Sequence, residues 1–423
     1  MEKNPADVAV VGAGAAGLMA AIWAGRTAQT KGKRLEILLL DTRPKIGAKI
    51  LMSGGTRCNV TNKEVKPTDF QGGPSHFVKH ILEAFTPQET IRFFKEIGVE
   101  LVLEPSGKYF PVTHSAQTVL DALVNEAKRL GVILKTSVRI TEMNKTNDLF
   151  YLRNDNGAYD VPARKVVLTT GGLSYPTTGS DGTGYEIAKN FGHTMTPTFP
   201  ALTPLLTEKC DWQSLSGISV EARLSFYKKG KKECECRGPF LFTHFGFSGP
   251  AALDISRHFA AAKKEDNPRI EASFLPHHDE ESLTAIFQAT QKKSSGKRIR
   301  NFLAEKFSLP ERFAEVFLCK SGIHVEETIG SYSKENRLRL VRSLLHYPLE
   351  ISGVFGYKKA EVTAGGVDLK EVKVATMESK RVAGFYLAGE ILDVDGRIGG
   401  FNFQWAWSTG AVAGQSAARS LLQ

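Results

Sequence analysis

With 423 residues, 42% of them hydrophobic, the chain can hold two or three domains around sizeable cores. No apolar run approaches the roughly 18 residues of a membrane span, and Met1-Glu2-Lys3-Asn4 lacks the basic start and long apolar segment of a signal peptide, so a cytoplasmic location without membrane partners is expected. Five cysteines argue against a disulfide framework, Cys234-Glu235-Cys236 has no second pair to complete a metal site, so no metal is expected, and the net charge of +10 points to an anionic partner such as nucleic acid.

Residues 7–11 read as a buried strand, and Gly12-Ala13-Gly14-Ala15-Ala16-Gly17 follows, opening an alanine-rich helix to about residue 29. This is the strand–turn–helix context that gives a G-x-G-x-x-G match physical meaning. Gly12 permits the tight turn, Gly14 lets the backbone approach a pyrophosphate, and Gly17 lets helix and strand pack closely, while the helix N-terminus supplies amide donors. Residues 35–40 form a second strand reading, and Asp41 after them can accept both ribose hydroxyls of an unphosphorylated adenosine. The motif leaves NAD, FAD and an adenosylated substrate open.

Apolar residues at helical spacing predict helices over 86–98 and 116–130. Residues 132–138 read as a strand able to join the nucleotide sheet, and 149–167 as a hairpin or meander turning at Asp155-Asn156-Gly157. The strand 166–170 ends in Gly171-Gly172, a second close approach of backbone to ligand. The texture then changes to Thr and Pro punctuation, strand-like runs at 220–227 and 240–247, and a charged helical stretch over 280–345. An inserted substrate domain, 197–357, between two parts of one nucleotide domain, 1–196 and 358–423, accounts for this order.

At the far end, residues 385–388 read as a short buried strand delivering Gly389-Glu390 to a carboxyl edge, where an acid can bond a ribityl hydroxyl. A helix starts near Gly400, after Gly399 and ahead of Phe401-Asn402. Its free amides suit the N1/O2 edge of an isoalloxazine, where negative charge develops on reduction. NAD has no part that uses this second site, so the two ends together point to FAD. A second G-x-G-x-x-G, expected in a two-dinucleotide reductase, is absent. Two basic clusters, Lys228-Lys229-Gly230-Lys231-Lys232 and residues 292–300, read either as a solvated hairpin tip and loop or as a phosphate-contacting surface.

The segment 41–62, with Gly54-Gly55-Thr56-Arg57-Cys58-Asn59 at its centre, resembles the BaiN/RdsA-type bacterial NAD(P)/FAD-dependent oxidoreductases, a family that includes aminoacetone oxidase. The likeness continues through Gly171-Gly172-Leu173-Ser174-Tyr175-Pro176, through 241–250, through 360–367 and into 399–407, nearly the whole chain. Thr56 departs from the family, which commonly has Gly there. The resemblance implies an α/β fold: a discontinuous Rossmann-like FAD-binding domain with an inserted β-barrel plus helical domain. It implies that Gly12, Gly14, Ala16 and Gly17 border the pyrophosphate, Asp41 the ribose, and the Val138 backbone the adenine. Lys49, Arg57, Asn59, Gly171 and Gly172 would lie beside the flavin, with Gly389, Glu390, Gly399, Gly400, Phe401 and Asn402 along the ribityl chain and pyrimidine edge. NAD(P)H is the expected transient electron donor.

Three residues are candidate proton donors. Cys58 is one if it faces the ring across a substrate and is otherwise a packing residue; Tyr175 and His244 are the others. The expected function is reduction of an activated C=C bond by hydride from flavin N5, which the family resemblance directs first to uridine, giving dihydrouridine, in ribosomal RNA; the alternatives are oxidation of a small amine or reduction of a steroid enone, also represented in the family, and a non-enzymatic flavin- or RNA-binding module.

Overall fold

A computed structural model describes residues 4–154, 157, 160–208 and 210–423. The chain divides into two compact units, Met1–Phe199 with Glu361–Gln423, and Pro200–Ala360. In the first, β1 (Ala6–Val11) runs through the Gly12 turn into α1 (Ala15–Thr30), and β2 (Ile37–Leu40) is buried at all of its positions. Such unbroken apolar strands suit a parallel sheet covered on both faces. β1 pairs in parallel with β2 and with Asp160–Leu168; β2 continues to Ile133–Lys135, and Asp160–Leu168 to Phe385–Leu387. Leu149–Arg153 and Glu142–Thr146 extend this seven-stranded sheet antiparallel. The strand expected over 132–138 is shorter because Ser137, at φ 58°, turns the chain. Of the expected 155–157 turn, Asp155 and Asn156 lie outside the described residues.

The helix expected over 86–98 is Pro87–Glu96, and its start is chemically specified. Thr86 Oγ1 accepts the Glu89 amide at 3.2 Å while Glu89 Oε2 accepts the Thr86 amide at 2.7 Å, with Pro87 at the first helical position. The helix expected over 116–130 is Ala116–Arg129.

Register positions the site. Val11 lies beside Leu40 and Leu168, Leu40 beside Lys135, and Leu168 beside Leu387. The segments that begin at Gly12, Asp41, Thr136, Thr169 and Ala388 therefore all leave one carboxyl edge, where ligands bind in open α/β sheets. The C-terminal helix (Phe401–Arg419) is drawn to the same place by close packing on α1. A Cβ on Gly410 would lie 2.5 Å from the Ala16 carbonyl oxygen, and one on Gly414 2.1 Å from that of Ala20.

In the second unit seven antiparallel strands are ordered Tyr347–Leu349, Arg269–Ser273, Ser219–Lys228, Lys231–Thr243, Gly246–Ser248, Leu205–Leu206 and Gly353–Val354. Only residues 350–352 separate the first and last strands of this order in the chain. Four Cα steps reach at most about 14 Å, whereas the edges of a flat seven-stranded sheet stand roughly 29 Å apart. The sheet therefore rolls into a barrel-like form. Phe240, Phe242, Phe247 and Phe274 fill its interior, and Phe313 and Phe317, one turn apart on Glu311–Lys320, seal it with ring centroids 5.0 and 5.5 Å from Phe274. The helices Glu280–Lys293, Ile299–Phe307 and Lys334–Leu345 complete the charged helical stretch. Among the described residues no helix is long and apolar enough to cross a membrane, and no cluster of His, Cys, Asp and Glu suits a metal.

Candidate active site

Three glycines of the first turn do different work. Gly12 has φ 105°, and a Cβ there would meet the Thr169 carbonyl oxygen at 2.5 Å; a Cβ on Gly17 would fall 1.7 Å from the Gly12 carbonyl oxygen. These two are required by the fold itself. Gly14 has φ −81° and ψ −166°, open to any residue, and its Cβ would meet nothing within 4 Å. Open space above a glycine that caps α1, with no side chain capping the helix, is a cradle for an anionic group.

Asp41 closes one end of this cradle. Its Oδ2 accepts the Ala13 amide at 2.7 Å and its Oδ1 the Arg43 amide at 2.8 Å. Burial nevertheless holds its pKa above the usual carboxylate value, against the opposing pull of those amides. The Val138 amide donates to the Asp41 carbonyl oxygen at 2.9 Å, which places Val138 beside the acid.

The second half of the site centres on Glu390, which leaves the same edge after Ala388 and Gly389. Glu390 Oε2 pairs with Lys49 Nζ at 2.7 Å; Oε1 accepts Ser174 Oγ at 2.6 Å and the Thr363 amide at 3.0 Å. Lys49 Nζ also reaches Ser174 Oγ at 2.7 Å. Thr363 Oγ1 in turn accepts the amides of Leu173 and Ser174 at 2.7 and 3.0 Å, fixing the loop after Gly171-Gly172. Both glycines are forced: a Cβ on Gly171 would lie 2.6 Å from Ser180 Oγ, and one on Gly172 2.5 Å from Thr363 Oγ1. Gly389, at φ 82°, passes over α1, where its Cβ would stand 2.8 Å from that of Ala16. Ser174 and Thr363 were not singled out by sequence reasoning, although both lie inside the segments that carry the family resemblance; only the fold joins them to Glu390.

The C-terminal helix begins at Gly400, φ 93°, with no side-chain cap, and its first internal bond is Gln404 N–H to the Gly400 carbonyl. The amides of Phe401, Asn402 and Phe403 precede that bond and carry the positive end of the helix dipole. Both ends of the Asn402 side-chain amide are committed to the Gly396 backbone at 2.8 Å, so what Asn402 offers here is its backbone N–H. Asn59 is buried, and its Oδ1, which has no hydrogen-bond partner, would stand 2.8 Å from a Cβ on Gly400. The Gly399 carbonyl is held by Asn62 Nδ2 at 3.0 Å. Arg57 lies over the Phe110 ring at 4.1 Å and pairs with Glu104 at 2.6 Å.

The three candidate acids differ sharply. Cys58, at φ 62°, is fully buried, and desolvation pushes its thiol up to about 12. Tyr175 is half-buried with φ 48°; burial first, then the nearby Glu361 carboxylate, raises its phenol pKa. His244 is exposed on the turn after Lys231–Thr243 in the second unit, its ring 4.9 Å from that of Phe245. The basic clusters are compensated in part, Lys231, Lys292 and Lys293 standing outside the pairs. Lys228 and Lys229 pair with Asp266 at 3.3 and 3.2 Å, Arg298 with Glu326 at 2.8 Å, Arg300 with Glu315 at 2.6 Å, and Lys297 with Glu305.

The residues fit FAD. An open helix N-terminus at α1, an acid beside it, a polar cluster around Glu390 and uncapped amides at the C-terminal helix are groups of the kind that would hold a pyrophosphate, a ribose, a ribityl chain and a pyrimidine edge. The family described as HI0933-like protein Rossmann domain matches residues 6–416. Among similar proteins is the 3-dehydro-bile acid delta(4,6)-reductase of Clostridium scindens, 32% identical over 412 residues, with 97% of this chain and 98% of the relative covered. A ribosomal RNA dihydrouridine synthase of Haemophilus influenzae is 35% identical over 422 residues (97% and 98% covered), and that of Escherichia coli 34% over 412 (97% of each). Among solved structures, an open flavocytochrome c3 fumarate reductase aligns at 16% identity over 99% of this chain and 80% of its own, with a TM-score of 0.48.

Proposed function

The chain belongs to the HI0933-like protein Rossmann domain family and is an FAD-dependent oxidoreductase; from that premise we propose that it reduces an activated carbon–carbon double bond, with uridine in ribosomal RNA as substrate. The observation that carries the mechanism is the in-register ending of the parallel strands, which gathers Gly12, Asp41, Gly171 and Glu390 at one edge. When bound, FAD supplies the hydride chemistry. Asp41 receives the adenosine ribose, the amides after Gly14 the pyrophosphate, and Glu390 with Lys49 and Ser174 the ribityl hydroxyls. The amides of Phe401, Asn402 and Phe403 stabilise negative charge at the pyrimidine edge.

The C5–C6 bond of uracil is conjugated with the C4 carbonyl, so hydride addition at C6 leaves negative charge that a protein acid must quench at C5. We assign that proton to Tyr175, whose phenol keeps its proton at neutral pH and is only half-buried. Cys58 has no exposure through which a substrate could reach it and is assigned to packing. His244, exposed in the second unit, is given no role in the proton transfer. NAD(P)H acts as a transient electron donor, consistent with one G-x-G-x-x-G in the sequence.

The substrate assignment is supported by two relatives named for it and by the net charge of +10. A base in structured RNA must be unstacked or flipped, at a cost of a few kcal/mol, and phosphate contacts offset that cost. The bile acid reductase relative favours a second reading, a small-molecule enone with the same polarised double bond; a small amine is its oxidative counterpart. A binding-only module does not fit an enzyme family. Nucleoside mass spectrometry of ribosomal RNA from a strain lacking the gene tests the first reading: dihydrouridine should disappear and return with the wild-type copy. Unchanged dihydrouridine in a host that makes it would favour the small-molecule enzyme.

A further inference from the structure

The helix Lys334–Leu345 carries four basic residues against one acid. Arg337 turns inward, buried and bonded to Gln291 Oε1 at 3.1 Å. The outward side is different. Arg339, Arg342 and His346 are exposed and, with Glu335, Leu338 and Ser343, line a groove. Positions three and four apart on a helix are neighbours, roughly 5–6 Å between Cβ atoms, so these side chains form a continuous row.

The charges of Arg339 and Arg342 are loosely held within the protein. Arg342 stands 3.8 Å from Glu280 and His346 3.8 Å from Glu271, while Arg339 bonds to the neutral amide of Asn336. Among the guanidiniums of the 292–300 cluster, by contrast, Arg298 and Arg300 meet carboxylates at 2.8 and 2.6 Å, and Lys297 is paired as well, the exposed Lys292 and Lys293 standing outside these pairs. A guanidinium already closed on a carboxylate must give up that bond to take a phosphate; one at 3.8 Å gives up little.

We propose that this groove is the surface along which the enzyme grips the sugar–phosphate backbone of an RNA substrate, an inference that rests on the RNA reading above. Arg339 and Arg342 contact successive phosphates, the Ser343 hydroxyl adds a neutral donor, and the Glu335 carboxylate marks the end of the row that repels a strand. Such contacts set position and affinity without reading sequence. An anionic membrane is the poorer occupant. Membrane-seeking helices carry large apolar side chains outward, and the exposed large hydrophobics among the described residues, from Met52 to Phe355, include none on this helix.

The test measures binding of a fluorescein-labelled single-stranded RNA oligonucleotide to the FAD-loaded full-length protein across salt concentrations. Each phosphate contact in a single strand contributes about 0.7 to the slope of log affinity against log salt. Arg339→Gln with Arg342→Gln should lower the slope by about 1.4, and each single variant by about half that. Lys297→Gln with Arg298→Gln should leave it unchanged, and flavin content should be equal in all. A wild-type slope in the double variant, with RNA still bound, overturns the groove and spares the RNA reading. Failure of the wild-type protein to bind RNA at low salt overturns the reading itself. Loss of binding to phosphatidylserine vesicles without change toward RNA assigns the groove to a membrane and also overturns the proposal.

Discussion

Replacing Gly14 with alanine separates cofactor binding from folding. Its backbone angles suit any residue, and the added methyl meets no atom of the protein within 4 Å. The helix-cap penalty of alanine relative to glycine and the reduced freedom of the unfolded chain oppose one another, leaving apo stability within about 1 kcal/mol of wild type. The same methyl occupies the space assigned to the pyrophosphate. Loss of two amide–phosphate bonds at about 1.5 kcal/mol each corresponds to roughly a hundredfold weaker binding. At an FAD concentration one hundred times the wild-type Kd, ligand stabilisation falls from about 2.7 to about 0.4 kcal/mol. Gly17→Ala should show the opposite pattern, because its Cβ would fall 1.7 Å from the Gly12 carbonyl oxygen. Overpacking of that kind destabilises the apo fold by about 1–3 kcal/mol or more. Thermal melts of each variant with and without FAD, together with flavin fluorescence titration, read both quantities. Wild-type FAD affinity in a folded Gly14→Ala protein would refute the placement of the pyrophosphate.

Asp41→Ala should weaken FAD binding, and wild-type binding should decline on acidification at a pH above the ordinary carboxylate range, because burial raises the Asp41 pKa and protonation removes an acceptor; flavin titration from pH 4 to pH 8 checks both. Tyr175→Phe should leave flavin reduction by NAD(P)H intact while slowing substrate reduction by about 10²-fold or more, whereas Cys58→Ser should change neither half-reaction selectively; stopped-flow absorbance separates the two steps. His193 is buried and hydrogen-bonded at both ring nitrogens. Ser379 Oγ accepts the Arg381 and Val382 amides at 2.9 Å each, so its proton goes to His193 Nε2 at 2.8 Å, and Nδ1–H faces Glu371 at 3.1 Å. Desolvation holds the His193 pKa below its ordinary value, so stability is full above about pH 6.5 and falls as pH drops through it, by at most about 1.4 kcal/mol per pH unit. His193→Gln should flatten that slope in denaturant titrations. Further acid loss is expected between the ordinary carboxylate range and about 2, where Arg381 and Thr194 hold Glu371 against its desolvation.

What the sequence made legible follows from how local each signal is. The Gly12–Gly17 turn, Asp41 and the start of the C-terminal helix announce themselves through glycine spacing and apolar runs, since backbone sterics act over a few residues. The capped helix Pro87–Glu96 is equally local. The polar cluster at Glu390 was only half visible, because Lys49, Ser174 and Thr363 come from three distant segments that only strand register joins. Asn402 shows the same limit: its side chain closes on Gly396 instead of projecting from the helix start, which composition does not reveal. The basic cluster at 292–300 looks free of acids in the sequence because the partners of Lys297, Arg298 and Arg300, which are Glu305, Glu326 and Glu315, come later in the chain. Arg339 and Arg342, scattered among apolar residues, align on one outward face only once the helix Lys334–Leu345 is formed, while Arg337 turns inward.

Reconstitution tests the RNA reading most directly. Ribosomal RNA from a strain lacking the gene is incubated with purified FAD-loaded protein and NADPH or NADH, digested and analysed by mass spectrometry. A uridine should gain two hydrogens, wild-type protein should do this faster than Tyr175→Phe, and RNA already modified in wild-type cells should show no further gain. Unmodified RNA, from a preparation whose flavin is reduced by NAD(P)H and reoxidised by a steroid enone, would contradict the RNA reading.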